Sequence, residues 1–152
     1  MVAESSPARR DGPWPDSFEA RRRWFEEFPL HHQLGLTLIE ARPGYAKCVM
    51  ETSTFTLGGV GGSVHGGILA CLVDIVMLAA LNGQFTAGEQ PAGTADLNIT
   101  YLRPALGPRI FAEGTVLKKG RQIAVVEVEI SDGEGRLCAK GRTLYAIRQT
   151  GA

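Results

Sequence analysis

VHGGILACLVDIVMLAALNG, residues 64–83, carries one acidic side chain, Asp74, inside a run made otherwise of Ile, Leu, Ala, Val, Met and Cys. Its length and its Ala and Leu content favour a buried helix over a strand, from about Gly67 to Leu81, with Asn82-Gly83 as the stop. A helix that is apolar nearly all round must be covered on most sides. A strongly curved antiparallel sheet wrapped round it would do that, and the helix would become the core.

The flanking sequence supplies such a sheet. Downstream, after a loop through Pro91, four segments alternate apolar and polar residues: TADLNITYLRP, IFAEGTVLKK, QIAVVEVEIS and LCAKGRTLYAIR. Turn chemistry at Pro104 to Pro108, Lys119-Gly120 and Asp132 to Gly135 joins them. Upstream, a strand near Leu36 to Ala41 and a second one in YAKCVMET form a hairpin through Pro43-Gly44. Before these, DSFEARRRWFEEF, residues 16–28, reads as an amphipathic helix ending at Pro29, with Phe18, Trp24, Phe25 and Phe28 on one side. His31 and His32 then fall in a linker, and residues 1–15 read as a flexible arm. The expectation is an α+β chain in which residues 16–152 form one domain, since 152 residues do not divide comfortably into two.

Bulk properties narrow the function classes. Zero formal net charge argues against a nucleic-acid partner and against a polybasic membrane anchor. Cys48, Cys71 and Cys138 are odd in number, widely spaced and without a CxxC pair, which reads as reduced core thiols and not as a disulfide frame or metal site. The first residues lack the apolar run of a signal peptide, and no stretch reaches transmembrane length. The chain is therefore expected to be soluble and cytoplasmic, with no metal.

The chemistry concentrates on the central helix. An unpaired buried carboxylate is costly, so Asp74 is either satisfied in a polar pocket or placed where it must react. The glycine-rich TLGGVGGSVHGG, residues 56–67, leads into the helix start, where unpaired backbone N–H groups favour negative charge. Those donors suit the oxyanion of a tetrahedral intermediate, with a carboxylate nearby to attack or to activate water. The glycines read equally as residues that let the loop turn and the helix approach the sheet. His65 is a general base, a substrate ligand or a cap on the helix, and the capping role is favoured. Asp74 lies roughly 12–14 Å along the helix axis from His65 at 1.5 Å per residue. For both ends to serve one reaction, two chains must meet, with Asp74 of one facing Gly66 of the other across a two-fold axis.

At VHGGILACLVD the sequence resembles the HGGxxxxLxD signature of the PaaI-like, phenylacetate-pathway-type hotdog thioesterases, with His65, Gly66, Gly67, Leu72 and Asp74 in register. TADLNITYLRPA resembles the second characteristic strand of that family, and the likeness spans roughly residues 34–148. The resemblance implies a hotdog fold: a long central helix in a curved five- to six-stranded antiparallel sheet, here with an extra N-terminal helix. It implies homodimers, often paired as a homotetramer, with active sites at the dimer interface. It implies hydrolysis of aryl or short- to medium-chain acyl-CoA to free acid and CoA, with no cofactor beyond the CoA of the substrate. Asp74 would be nucleophile or general base, the Gly66 N–H would polarise the thioester carbonyl, and Thr94 would help hold the attacking water. One departure stands out: six residues before the motif histidine the family usually carries Asn or Gln, and here that position is Gly59.

Coenzyme A carries phosphates, so basic side chains are expected near the site mouth, and Arg103, Lys118, Lys119 and Arg121 are the candidates. Each also reads as an ordinary solvated charge. Gly59, Gly62 and Gly67 are the candidate backbone contacts to substrate. Two rival readings remain: an acyl-CoA-binding hotdog protein without hydrolysis, kept open by Gly59, and a hotdog hydratase or dehydratase, disfavoured because the chain lacks the FPG-type histidine loop.

Overall fold

A computed structural model describes residues 14–150. Its centre is helix α3, Gly66–Asn82, one residue longer at each end than the apolar pattern predicts. The N-terminal boundary is set by His65, whose side chain accepts a hydrogen bond from the Gly67 N–H at 3.0 Å. The helix ends at Gly83.

Before it come helices α1, Phe18–Glu26, and α2, Pro29–Gln33, then strands β1, Leu36–Arg42, and β2, Tyr45–Glu51. After it come β3, Glu89–Tyr101, β4, Arg109–Lys119, β5, Ile123–Asp132, and β6, Leu137–Gln149. All six strands form one antiparallel sheet in the order β1-β2-β4-β5-β6-β3. This is the α+β hotdog architecture that the sequence implies, with the sheet at the upper end of the expected strand number.

The helix is held against the middle strands by apolar burial. Leu72, Val73, Val76 and Met77 pack on inward residues of β2, β4 and β5 such as Met50, Ile110, Val126 and Val128, all at most 1% exposed. Burial of such side chains stabilises by roughly 1.5–3 kcal/mol each. Two glycines let the helix come close. A Cβ on Gly141 would stand 2.6 Å from Val73 Cγ1, and one on Gly114 would stand 3.0 Å from Val76. The glycine positions on β4 and β6 thus fix the spacing between helix and sheet.

Two expected boundaries move. The N-terminal helix breaks after Glu26, and Pro29 begins a second short helix instead of ending the first; proline at the first helical position gives up an N–H that has no intrahelical partner there. His31, read from sequence as linker, therefore lies on α2, where its Nδ1 donates to the Phe25 carbonyl at 2.8 Å. Its burial lowers the imidazole pKa, against the opposing effect of that bond. Strand β3 starts at Glu89, ahead of the predicted loop end, and runs through Pro91. An edge strand tolerates proline because one side of its backbone has no ladder to complete.

Of the arm expected over residues 1–15, only Trp14 and Pro15 fall within the described residues; Trp14 stacks edge-on against Trp24 of α1, with centroids 5.0 Å apart. Among the described residues no helix is long and apolar enough to cross a membrane.

Candidate active site

One stripe of α3 is not buried: Gly67, Ala70, Cys71, Asp74 and Leu78, at the three- and four-residue spacing of one helix face. Strand β3 flanks it. Cross-strand neighbours share a face of the sheet, and Thr94, Leu97, Ile99 and Tyr101 are partnered by Tyr145, Thr143, Gly141 and Ala139, the inward residues of β6. Thr94 and Leu97 are an odd number apart, and a shift of register between Thr94 and Asp96 puts them on the same side. This irregularity turns Thr94 toward the helix.

The consequence is a direct contact: the Thr94 hydroxyl donates to Asp74 Oδ1 at 2.6 Å. Asp74 is exposed, so the sequence-based choice between a satisfied pocket and a reactive position takes a third form, a carboxylate on an open face with one donor. Its neighbours are neutral acids. Burial and then the Asp74 charge raise the pKa of the Cys71 thiol, and the same two causes raise the Tyr145 phenol. Both keep their protons near neutrality. Among the described residues no Lys, Arg or His forms an ion pair with Asp74. A carboxylate with no cation to neutralise it, and with Oδ2 not engaged by the threonine, can accept a proton from water or attack a carbonyl carbon.

The helix start offers the complementary group. Of the first four N–H groups of α3, Gly67 donates to His65 Nδ1 at 3.0 Å, and Ile68 and Leu69 donate to the His65 carbonyl at 2.9 and 3.2 Å. The Gly66 N–H has no hydrogen-bond partner among the described residues. His65 thus sits as the helix cap, the role favoured from sequence, and its cap occupies the Gly67 N–H that was a candidate substrate contact. Gly66 remains the open donor. Its carbonyl accepts from the Tyr101 hydroxyl at 2.8 Å.

The glycine loop is built for turning. Gly61 and Gly62 adopt φ of +67° and +78°, in the left-handed region that side chains avoid. The Gly58 and Gly59 N–H groups both donate to the Ser63 carbonyl, at 3.2 and 2.9 Å. A Cβ on Gly59 would overlap Ser63 Oγ and come within 2.6 Å of the Val64 carbonyl oxygen. The position that usually carries Asn or Gln therefore has no room for a side chain in this loop conformation.

The four basic candidates do not converge within one chain. Arg103 follows β3 at the α3 N-terminal end, where its N–H donates to the Cys138 carbonyl at 3.1 Å. Lys118, Lys119 and Arg121 lie at the far end of β4. There Lys119 donates to both oxygens of Glu89, the first residue of β3, at 2.8 and 2.6 Å. The 13 residues of β3 separate the two ends, roughly 40 Å at 3.3 Å per residue. Lys119 is an internal ion-pair partner, which leaves Arg103, Lys118 and Arg121 exposed.

Sequence reasoning singled out Asp74, Thr94, Gly66 and His65; the fold joins Asp74 to Thr94 on the open stripe and sets Gly66 and His65 at the start of the same helix. It did not single out Cys71, Tyr101 or Tyr145. Cys71 carried a signal, since it precedes Asp74 by one helical turn. The two tyrosines depend on strand register and had none.

A long apolar helix against a six-stranded antiparallel sheet, with a carboxylate on its open stripe and a free N–H at its start, fits a hotdog-fold enzyme of the thioester hydrolase class. The family model described as the thioesterase superfamily matches residues 61–139. The chain belongs to the thioesterase superfamily, and it is PaaI-like. It is 37% identical over 109 residues to human acyl-coenzyme A thioesterase 13, covering 70% of this chain and 76% of that protein. It is 26% identical over 132 residues to the medium/long-chain acyl-CoA thioesterase YigI of Escherichia coli K12, covering 78% and 85% of the two chains. The solved structure of the E. coli PaaI protein from the phenylacetic acid degradation operon superposes with a TM-score of 0.71 at 26% identity, over 86% of this chain and 90% of that one.

Proposed function

We propose that this chain hydrolyses acyl-CoA thioesters to free acid and CoA, with Asp74 as the catalytic carboxylate and the Gly66 N–H as the oxyanion donor. The observation that carries the reading is the 2.6 Å bond from Thr94 to Asp74 on an open, cation-free stripe of α3. The names of the thioesterases it resembles supply the substrate class.

On this reading the labour is divided between subunits. Asp74 and Gly66 are eight residues apart on one helix, about 12 Å at 1.5 Å per residue, too far to act on one carbonyl. Two chains related by a two-fold axis, with their α3 stripes and β3 strands facing, bring Asp74 of one opposite Gly66 of its partner. The same operation moves Arg103 of one subunit toward the Lys118 and Arg121 end of the other, where the phosphates of CoA would find both. A further pairing of dimers would give the tetramer implied by the family. The free thiols of Cys48, Cys71 and Cys138 suit a reducing, cytoplasmic setting.

In the reaction, the thioester carbonyl oxygen takes up negative charge against the Gly66 N–H as oxygen adds to the carbonyl carbon. That oxygen comes from water deprotonated by Asp74, or from Asp74 itself with water resolving the acyl intermediate. The C–S bond then breaks, and the CoA sulfur leaves with the electron pair and takes a proton. Thr94 holds Asp74 Oδ1 and leaves Oδ2 to do the work.

The crowding at Gly59 favours a second reading, an acyl-CoA binder that does not hydrolyse, because one polar contact cannot be supplied by a side chain there. Release of free CoA from a panel of aryl and straight-chain acyl-CoA thioesters separates the two. Turnover by wild type and none by Asp74→Asn supports hydrolysis. Saturable binding without CoA release supports the binder, and full activity in Asp74→Asn removes the mechanism.

A further inference from the structure

Tyr101, the last residue of β3, meets the first residue of α3 in two ways. Its hydroxyl donates to the Gly66 carbonyl oxygen at 2.8 Å. Its ring lies so close to Gly66 that an added Cβ would stand 3.3 Å from Cε1 and Cζ. Neither contact is needed to close the sheet, because the strand end is already fixed by Leu102 and Arg103 N–H bonds to the Cys138 carbonyl, at 2.8 and 3.1 Å.

We propose that Tyr101 is a positioning residue for the thioesterase reaction: it fixes the orientation of the Gly66 backbone, and through it the N–H that polarises the thioester carbonyl. The inference rests on the assignment of that N–H given above. Glycine is the residue whose backbone turns most freely, and Gly66 stands at the first helical position, where its own N–H makes no helical bond. That N–H belongs to the His65–Gly66 peptide, whose carbonyl is held by the Ile68 and Leu69 N–H groups at 2.9 and 3.2 Å, while Tyr101 reaches the other peptide of Gly66; a donor must be set before the oxyanion forms to act without reorganisation. The peptide between Gly66 and Gly67 is pinned at both ends: the Gly67 N–H by His65 Nδ1 at 3.0 Å, the Gly66 carbonyl by Tyr101. With the peptide planes on both sides of Gly66 held, the direction of its N–H is set, and Tyr101 supplies the side-chain half of that hold. The ring also excludes water from one side of Gly66, and a hydrogen bond gains strength where water is excluded. Tyr101 is itself 52% exposed in the single chain.

The test uses the full chain and the acyl-CoA that wild type turns over best. Tyr101→Phe keeps the ring and loses the hydroxyl. It is expected to lower kcat on the order of tenfold, a modest misalignment of a reacting group, with KM within about twofold and with melting temperature and oligomeric state unchanged. Gly66→Ala pushes a methyl group into the ring, so its loss is expected to be partly relieved in Gly66→Ala/Tyr101→Ala, making the pair non-additive. Wild-type kcat in Tyr101→Phe, a change mainly in KM, a kcat loss that tracks a fall in melting temperature, or strictly multiplicative effects in the pair would each overturn the proposal. Asp74→Asn run alongside keeps the two claims apart: if it stays active, the reaction mechanism fails, whereas an inactive Asp74→Asn beside an unimpaired Tyr101→Phe removes Tyr101 alone.

Discussion

Strands β5 and β3 belong to one sheet and differ in what covers them. In β5 the inward residues Ala124, Val126, Val128 and Ile130 are all 0% exposed beneath α3, and the strand is paired on both edges. In β3 no residue is fully buried, although Leu97, Ile99 and Tyr101 face the same way, and one edge of its 13 residues is unpaired. Both strands alternate apolar and polar side chains; only one has its apolar side closed. A long strand and the adjacent helix stripe are thus left uncovered on the side that carries Asp74 and Thr94. Burial is concentrated under β5, and the proposed chemistry lies beside β3.

That division is easiest to break with Asp74→Asn. The change keeps side-chain size, and the site is exposed, so turnover is expected to fall at least a hundredfold while the thermal midpoint moves little. A large loss of stability would mean that the open stripe is also structural and would erase the contrast. Next in size, Thr94→Val removes the hydroxyl bound to Asp74 while preserving shape; roughly a tenfold loss of kcat is expected, again without unfolding. An unchanged rate would make the 2.6 Å bond incidental.

The covered side should respond in the opposite sense. Gly141→Ala puts a methyl group into Val73, an overpacking that costs roughly 1–3 kcal/mol, visible as a midpoint several degrees lower. Activity per folded molecule should survive, because Gly141 touches the buried side of α3. Gly59→Asn belongs with it. Although it would restore the residue type usual in the family, the overlap with Ser63 and Val64 predicts a less stable protein and no gain in rate. A faster enzyme would show that the loop can reopen to seat the side chain.

How much of this was legible in the sequence follows the same boundary. Helix α3 was readable to within one residue at each end because its apolar run and its stops lie in one contiguous stretch. The strands of the covered half were readable for the same reason, their alternation being local. Strand β3 was read five residues short, since Pro91 argues for a loop unless the strand is known to be an edge. Asp74 stood out as a charge in an apolar run, and Thr94 came through the resemblance alone. Tyr101 and Tyr145 could not be found, because what places them is a register shift in β3 and its pairing with β6. Lys119 was one of four candidates for CoA, and its partner Glu89, 30 residues away in sequence, gave no local signal.

That partner gives the smallest effect, at the one point where β3 is tied to a strand other than β6. The Lys119 ammonium, and after it the Thr86 N–H, hold the Glu89 carboxyl down to about 2, against an ordinary value of 4.5. A carboxyl whose pKa is lower folded than unfolded stabilises the fold above its unfolded pKa and loses that contribution as pH falls toward its folded one. The advantage of wild type over Glu89→Gln in thermal midpoint should therefore be constant above about pH 5.5 and shrink between roughly pH 4.5 and 2. A difference that holds down to pH 2.5 would mean that Glu89 works by its hydrogen-bonding shape and not by its charge. If the narrowing occurs and Lys119→Ala also leaves KM for acyl-CoA unchanged, Lys119 serves to fasten the start of β3. On the proposed pairing of two chains, the phosphates of the substrate would then fall to Arg103, Lys118 and Arg121.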